Sequence, residues 1–485
     1  MNDFLHKFVG SLSAREKAAF RKYASMHSGG EQKNYVRLYD GLESNPDSGL
    51  HQIREQFRGE SIDKYWSSEC NYLFQQLMGS LSNFHRSTSP YRRLNQMVVF
   101  VDILLEKGFR NKAGKILRQA KKLAYEFEEF SIILRLIELE EDVLFREGII
   151  GFAEQLNKHG QERQRIVDQI QNLNELRLLR EQVRSLQFTE SFVTNASRFP
   201  NIFDNPLLED PNLALSIKAK ENWYYIRSIR EFILRRFDQA HIRQKDYLAF
   251  FERHEHFFKK SRKLPILSNS LYIATLNKDL RYFENTLVKL EILEKDPSQD
   301  SIYIRYIKYA RLLDFYSITK SWDKIRKVLA KTGEYLHDYH QQMGEAQVGY
   351  LVELVVRSYI LLDQYSQGME WVRFWYQVPQ LEVNASIRRI FTLIIYEELE
   401  LQQLLGSELD SAYRELKKID RLGPLETAFI QYCRLCFRHP GQKRKHLQEL
   451  SRELETISCD PAANKDFVYF DFHAWSCRRV EQLKS

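Results

Sequence analysis

Residues 106–117 read EKGFRNKAGKIL, a charged helix end followed by a Gly-Phe break and a second apolar stripe. Apolar residues precede the break at helical spacing: Met97, Val98, Val101, Leu104 and Leu105. Others follow it at spacings that place them on one helix face: Ala113, Ile116, Leu117, Ala120, Leu123, Ala124 and Phe127. Gly108 is well placed to end the first helix in the left-handed conformation. The stretch predicts two amphipathic helices joined by a short turn, in which Phe109 plugs the hairpin and Ala113 allows the helices to approach closely.

Breaks of the same kind recur at 146–156, 277–287, 319–329 and 362–372, and a further one is expected near Leu405-Gly406. Each break follows one apolar helical pattern and begins another, and the spacing between breaks is about 40 residues. A single helix pair of this size cannot bury its apolar face, so the pairs are expected to stack on their neighbours. The sequence therefore predicts an all-α fold, a right-handed α-solenoid of stacked antiparallel helical hairpins.

These hairpins resemble tetratricopeptide repeats, in which a helix ends before an aromatic residue and a small residue opens the second helix. The residues that carry the resemblance are Gly108-Phe109 followed by Ala113, and Phe237-Asp238-Gln239-Ala240. The match is degenerate, because the period exceeds the standard one of about 34 and the Trp-x-x-Leu-Gly-x-x-Tyr and closing Pro features are absent. The pattern over about residues 90–480 is also similar to uncharacterised bacterial helical-repeat proteins. The resemblance implies a fold and brings no activity with it.

Three regions differ from the repeated pattern. Residues 1–88 form either an N-terminal helical cap or a small helical domain, in which Ser13 and Glu16 make a capping box for a helix through Tyr23. Residues 89–198 are expected to hold helical hairpins, including a long helix at 161–195 whose apolar seam is either a hairpin arm or a dimer seam. Residues 199–212 form a connection with three prolines, expected to be ordered, and residues 213–485 form the helical-repeat solenoid.

Composition narrows the class of protein without identifying it. The 485 residues include only 19 Gly and 11 Pro, which disfavours folds with many tight turns, and the net charge of +7 is mild for this length. No run approaches 18 apolar residues, the first residues lack the features of a secretory signal, and five irregularly spaced cysteines do not suggest a disulfide framework. A reducing cytoplasm is therefore the expected compartment.

The sequence contains no signature that points to catalysis. The motifs G-x-x-x-x-G-K-[ST], G-x-G-x-x-G and G-x-S-x-G are absent. Cys433 and Cys436 have a metal-like spacing, but they lie in an apolar helical pattern without a second pair, so two buried helix cysteines are the preferred interpretation. We expect no enzymatic activity, no cofactor and no metal ion.

The strongest indication of a binding surface is the basic region at 218–263, which contains 13 basic and 6 acidic side chains. The candidate partner-binding residues are Trp223, Tyr224, Arg227, Arg230, Arg235, Arg236, Lys259 and Lys260. Arginines beside aromatic rings suit either an acidic protein segment or the phosphates and bases of single-stranded nucleic acid, and the same pattern also fits a solvated helix face. The expected function is a non-catalytic scaffold or adaptor that binds a peptide or protein. The alternative is a nucleic-acid-associated regulatory protein that uses this region.

Overall fold

The computed structural model describes residues 2–26, 33–45, 50–86, 89–147, 152–188, 200–296, 300–378, 385–460 and 470–483. These ranges are all-α and contain no strand, as the sequence predicts. None of their helices has the length and apolar character that crossing a membrane requires. The chain divides into two compact units, Met1–Ile170 and Gln171–Ser485.

The first unit begins with six helices that share one apolar core and continues with a hairpin and two further helices. Its helices are α1 (Asn2–Ser11), α2 (Ala14–Met26), α3 (Asn34–Ser44), α4 (Leu50–Glu55), α5 (Ser61–Lys64), α6 (Trp66–Phe84), α7 (Pro90–Glu106), α8 (Arg110–Glu126), α9 (Phe130–Glu147) and the start of α10 (Phe152–Phe188). The predicted capping box is confirmed, because the Ser13 N–H donates to Glu16 Oε2 at 2.8 Å and the Glu16 N–H donates to Ser13 Oγ at 3.4 Å.

The hairpin at 106–117 has the predicted turn. Gly108 has a φ of 81°, its N–H donates to Leu105 O at 3.1 Å, and the Phe109 N–H donates to Leu104 O at 2.8 Å. Ala113 is fully buried, as predicted, but Phe109 is 63 % exposed, so its predicted role as the plug of the hairpin is wrong. Phe109 is the residue that caps α8 before its first turn, and from there its ring faces solvent.

The second unit contains the remaining helices. They are α11 (Pro200–Phe203), α12 (Ile217–Ile233), α13 (Phe237–Arg253), α14 (Lys263–Leu276), α15 (Leu280–Glu294), α16 (Ser301–Ile318), α17 (Trp322–Tyr339), α18 (Glu345–Leu361), α19 (Tyr365–Gln377), α20 (Ala385–Glu398), α21 (Gln402–Lys418), α22 (Pro424–Arg438), α23 (Lys443–Cys459) and α24 (Phe472–Gln482). The end of α10 also belongs to this unit.

The hairpin turns of the second unit repeat one backbone pattern. A residue other than glycine has a φ between 53° and 57° in five successive turns: Arg235, Lys278, Lys320, Asp363 and Glu400. These positions are 43, 42, 43 and 37 residues apart. In each turn the N–H groups of this residue and the next donate back to the last turn of the preceding helix, as they do at Gly108. The breaks predicted at 277–287, 319–329 and 362–372 are confirmed; part of the break at 146–156 lies outside the described residues.

The residue five positions after each left-handed residue lies at the helix–helix contact. The five in the second unit are Ala240, Phe283, Ile325, Gly368 and Leu405, of which the four with side chains are at most 1 % exposed. An added Cβ at Gly368 would lie 3.1 Å from Ile395 Cδ1, so a larger residue would fit there only if Ile395 shifted. The break predicted near Leu405-Gly406 is wrong, because α21 already begins at Gln402 and the turn is centred on Glu400.

Helices of the second unit pack mainly on their neighbours along the chain. From α14 onwards the first helix of one hairpin also packs on the first helix of the next, which links α14 to α16, α16 to α18, α18 to α20 and α20 to α22. These first helices are buried on most of their faces and include polar groups, such as Asp314 on α16 and Arg357 on α18, whose side chains meet at 2.6 Å. The arrangement is consistent with an all-α repeat fold.

The long helix and the proline connection are ordered where the structure describes them. α10 spans Phe152–Phe188, and its predicted seam is buried by the chain itself at Leu173, Leu176, Leu179 and Val183, while 189–195 lies outside the described residues. The connection forms short helical turns at Pro200–Phe203, Pro206–Leu208 and Pro211–Leu213. Asn172 of α10 holds its end, donating to Leu213 O and accepting from the Leu215 N–H, both at 2.9 Å. The domain boundaries at 88, 198 and 212 stay predictions.

Candidate functional site

Of the two aromatic candidates of the basic region, Trp223 is buried and Tyr224 packs on α13. Trp223 is 5 % exposed, and the Tyr224 ring stacks on Phe250 with a centroid distance of 4.6 Å. α12 is a first helix that is buried on most of its faces, so the alternation of aromatic and basic residues turns the rings towards neighbouring helices. The basic side chains are therefore the part of this pattern that reaches the surface.

Four arginines near the α12–α13 turn form a group that we name the arginine cluster: Arg227, Arg230, Arg236 and Arg243. Arg230 and Arg236 share one buried carboxylate, Glu231, at 3.6 and 3.7 Å. Arg227 has no carboxylate at ion-pair distance among the described residues; its guanidinium lies 5.8 Å from the Trp223 ring centroid. Burial and the charges of Arg230 and Arg243 lower the pKa of Arg227. Arg243 pairs with Asp246 at 3.9 Å, so the four arginines have two carboxylates at ion-pair distance and positive charge is in excess.

The other basic candidates lie elsewhere. Arg235 adopts the left-handed conformation of the turn, where its backbone has an architectural role. Lys259 and Lys260 follow the far end of α13, and a helix of 17 residues is about 25 Å long. Lys260 pairs with Asp296 at 2.8 Å. The eight candidate residues therefore do not form one patch: the arginine cluster lies at one end of the hairpin, and Lys259 at the other.

A cavity of about 480 Å³ opens at the second of these ends. It lies between α10, the start of α12 and the segment 257–265. Its lining is rich in cationic side chains: Arg177, Arg180, Lys218, Lys259 and Arg262. Two carboxylates, Glu181 and Glu221, also line it, and Leu173, Phe257, Phe258 and Pro265 supply apolar surface. The cavity is therefore a basic pocket with an apolar wall.

Glu221 is the buried centre that organises this lining. Arg180 Nη1 donates to Glu221 Oε2 at 2.7 Å, and Arg262 donates from Nε to Oε1 at 3.2 Å and from Nη2 to Oε2 at 3.0 Å. The Tyr247 hydroxyl donates to Glu221 Oε1, and Arg180 also bonds to Asn222 Oδ1 at 3.0 Å. Burial raises the pKa of the Glu221 carboxyl, while Arg180 and Tyr247 act to lower it. One carboxylate thus fixes the orientation of two guanidinium groups.

Sequence reasoning identified the basic region and Lys259 but missed Arg177, Arg180, Glu221 and Arg262 as a group. Arg180 is 41 residues from Glu221, and Glu221 is 41 residues from Arg262. These separations match the repeat spacing, which is the signal that would have brought the three side chains together. Without the fold, a lone glutamate in a basic stretch carries no such information.

The prediction that Cys433 and Cys436 are buried helix cysteines is confirmed. Cys433 and Cys436 are 0 % and 4 % exposed on α22, and burial raises the pKa of both thiols, that of Cys436 to about 12. Within the described ranges, no three His, Cys, Asp or Glu side chains come together as metal ligands would. The sequence matches no model of a known protein family, and no curated protein matches it either.

Proposed function

We propose that this chain is a non-catalytic scaffold or adaptor, a tetratricopeptide-like α-solenoid that binds an acidic segment of a partner protein through the arginine cluster. The observation that carries the proposal is the excess of charge in the arginine cluster, whose four arginines have two carboxylates at ion-pair distance: Glu231, shared by Arg230 and Arg236, and Asp246, which lies 3.9 Å from Arg243. The cluster lies at the end of a repeated hairpin, where a stacked array presents its turns to solvent.

The repeated hairpin turn supports the solenoid part of the proposal. Five turns of the second unit share the left-handed residue, the two backbone hydrogen bonds and the close contact five positions later. The first helices from α14 to α22 pack on one another in the same order along the chain. Arrays built in this way offer extended surfaces to other proteins, and binding of a segment is their common use.

The electrostatics of the cluster support an acidic partner. Arg227 lacks a counter-ion among the described residues, and its Nε is buried there without an acceptor. Keeping like charges together costs stability unless anionic groups approach them. Carboxylates of an acidic segment would supply those groups and form bidentate bonds with guanidinium.

The burial of the aromatic rings favours a protein segment over nucleic acid. Single-strand binding relies on exposed rings on which bases stack, and Trp223 is 5 % exposed while Tyr224 already stacks on Phe250. A nucleic-acid-associated function is therefore the second candidate, and the test below separates the two.

The proposal is tested by affinity capture from nuclease-treated extracts of the cells that produce the protein. The test variant is Arg227→Glu with Arg243→Glu, which keeps Arg230 and Arg236 as partners for Glu231. The matched control is Lys115→Glu with Lys122→Glu, an identical charge change on the exposed face of α8 in the first unit. A partner retained by the wild type and the control, and lost from the test variant, is the expected result.

Equal capture by all three proteins would refute the arginine cluster as the binding surface. A partner that is retained from a parallel untreated extract, lost after nuclease treatment and restored by added single-stranded nucleic acid would replace the proposal with its alternative. The capture of the protein partner and the binding of added nucleic acid are both repeated at increasing salt, because phosphate contacts weaken steeply with salt.

A further inference from the structure

The cavity beside Glu221 has the size of a small-molecule site. Its 480 Å³ lies inside the range of about 300–1,000 Å³ typical of ligand pockets. All of its lining residues belong to the second unit, and none belongs to the arginine cluster. The cavity is therefore a different site from the surface proposed to bind the acidic partner.

The lining carries three more positive than negative side chains, and part of that charge is uncompensated. Arg177 and Lys259 have no carboxylate at ion-pair distance in the part of the chain that the structure describes. Glu221, by contrast, is fully engaged by Arg180, Arg262 and Tyr247. A site with this balance attracts an anion.

The two guanidinium groups on Glu221 are preorganised for that anion. Arg262 bonds to Glu221 through Nε and Nη2, which leaves Nη1 directed away from that bidentate pair. Arg180 is 7 % exposed, is held by Glu221 and Asn222, and lies 4.2 Å from the Tyr225 ring centroid. Side chains fixed in this way lose little entropy when they bind a ligand.

The apolar wall indicates more than a bare ion. Phe257, Phe258, Leu173 and Pro265 line the same cavity, and the Phe258 ring is fixed by stacking on Phe251 at 5.0 Å. An organic group beside the anionic one would cover this wall and remove it from water.

From this geometry we infer that the cavity binds a small organic phosphate, a molecule with a phosphoryl group and an adjoining flat apolar part. A phosphoryl group carries about two negative charges near neutral pH and offers three acceptor oxygens to the cations of the lining. Arg177, Lys259 and Arg262 hold the phosphoryl group, and Phe257 and Leu173 contact the apolar part.

Calorimetric titration with phenyl phosphate, inorganic phosphate and phenol tests this inference. Phenyl phosphate should bind about tenfold more tightly than inorganic phosphate, because only it covers the apolar wall, and phenol should not bind measurably. In the variant Arg177→Ala with Lys259→Ala, the affinity for phenyl phosphate should fall at least about tenfold, because two charge-assisted contacts are lost.

The matched control is Arg165→Ala with Lys260→Ala, which removes one exposed arginine from α10 and one exposed lysine beside Lys259, neither of which lines the cavity. It should bind phenyl phosphate within about twofold of the wild type, and all variants should unfold at the wild-type denaturant midpoint. No binding by the wild type at millimolar phenyl phosphate, or equal loss in both variants, would overturn the inference. The variant Arg227→Glu with Arg243→Glu should keep this affinity, so failure here leaves the acidic-partner proposal untouched.

Discussion

The replacement Asp314→Asn tests whether buried charges join the first helices of successive hairpins. Asp314 on α16 receives Arg357 Nη2 of α18 at 2.6 Å, Arg311 Nη1 at 3.1 Å and the Tyr350 hydroxyl at 3.2 Å. The side chains of Asp314 and Arg357 are 4 % and 2 % exposed. The asparagine has nearly the same shape, so the change removes the negative charge that the Arg311 and Arg357 guanidinium groups contact.

The expected loss is about 3–5 kcal/mol in the free energy of unfolding, the usual effect of removing one partner of a buried ion pair. That loss is a large part of the roughly 5–15 kcal/mol that stabilises an ordinary domain. Arg357→Met should cost less than Asp314→Asn, because Asp314 would keep Arg311 and Tyr350 as partners. The ranking of the two variants is as informative as either value.

The assay is urea unfolding followed by tryptophan fluorescence. Five of the six tryptophans lie in the second unit, so the signal reports mainly on the unit that contains Asp314. Asp323→Asn is the control, because that carboxylate is 94 % exposed in a surface pair with Arg326 and should leave the midpoint unchanged. A loss of less than about 1 kcal/mol in Asp314→Asn would refute the claim that these charges are buried together.

Two further predictions concern the hairpin turns. Asp279 caps α15 and pairs with His241 and Lys245 at 3.0 Å each. Burial raises the pKa of the Asp279 carboxyl, but hydrogen bonds from the Tyr282 N–H, His241 and Lys245 outweigh it and hold that pKa well below its usual range. A lowered folded-state pKa stabilises above the unfolded value of about 3.9, so Asp279→Asn should destabilise near pH 7, and urea midpoints should converge with the wild type as the pH falls below about 4. Gly108 and Lys320 both have a positive φ, which glycine adopts more readily than other residues. Gly108→Ala should therefore lower the free energy of unfolding by about 1 kcal/mol, and Lys320→Gly should raise it slightly. Thermal unfolding in which both variants shift the midpoint in the same direction would contradict this.

The sequence was sufficient to predict the helical class and most of the turns, because amphipathic spacing and repeated breaks are local signals. The all-α character, the turn at Gly108 and the buried Ala113 follow from patterns within a few residues. The turn at Glu400 was misplaced for a local reason as well. Gly406 suggested a helix end, but it lies inside α21, where a Cβ would come within 3.2 Å of the Phe437 ring.

The candidate site was harder to predict, because its members are brought together by the repeat. The arginines of α12 are visible as a basic run, yet the burial of Trp223 depends on α12 being surrounded by other helices. Arg180, Glu221 and Arg262 meet only because the fold aligns residues that are 41 positions apart. Pairings of this kind require the register of the hairpins, which composition and local spacing do not contain.

The central claim is that the arginine cluster binds an acidic protein segment. The most direct measurement is the dissociation constant of a captured partner's acidic segment, determined by fluorescence anisotropy between about 0.05 and 0.3 M salt, where charge screening increases. The account predicts at least tenfold weaker binding and a shallower salt dependence for Arg227→Glu with Arg243→Glu, and wild-type behaviour for Lys115→Glu with Lys122→Glu. Dissociation constants within about twofold of the wild type for both variants, with the same salt dependence, would contradict it.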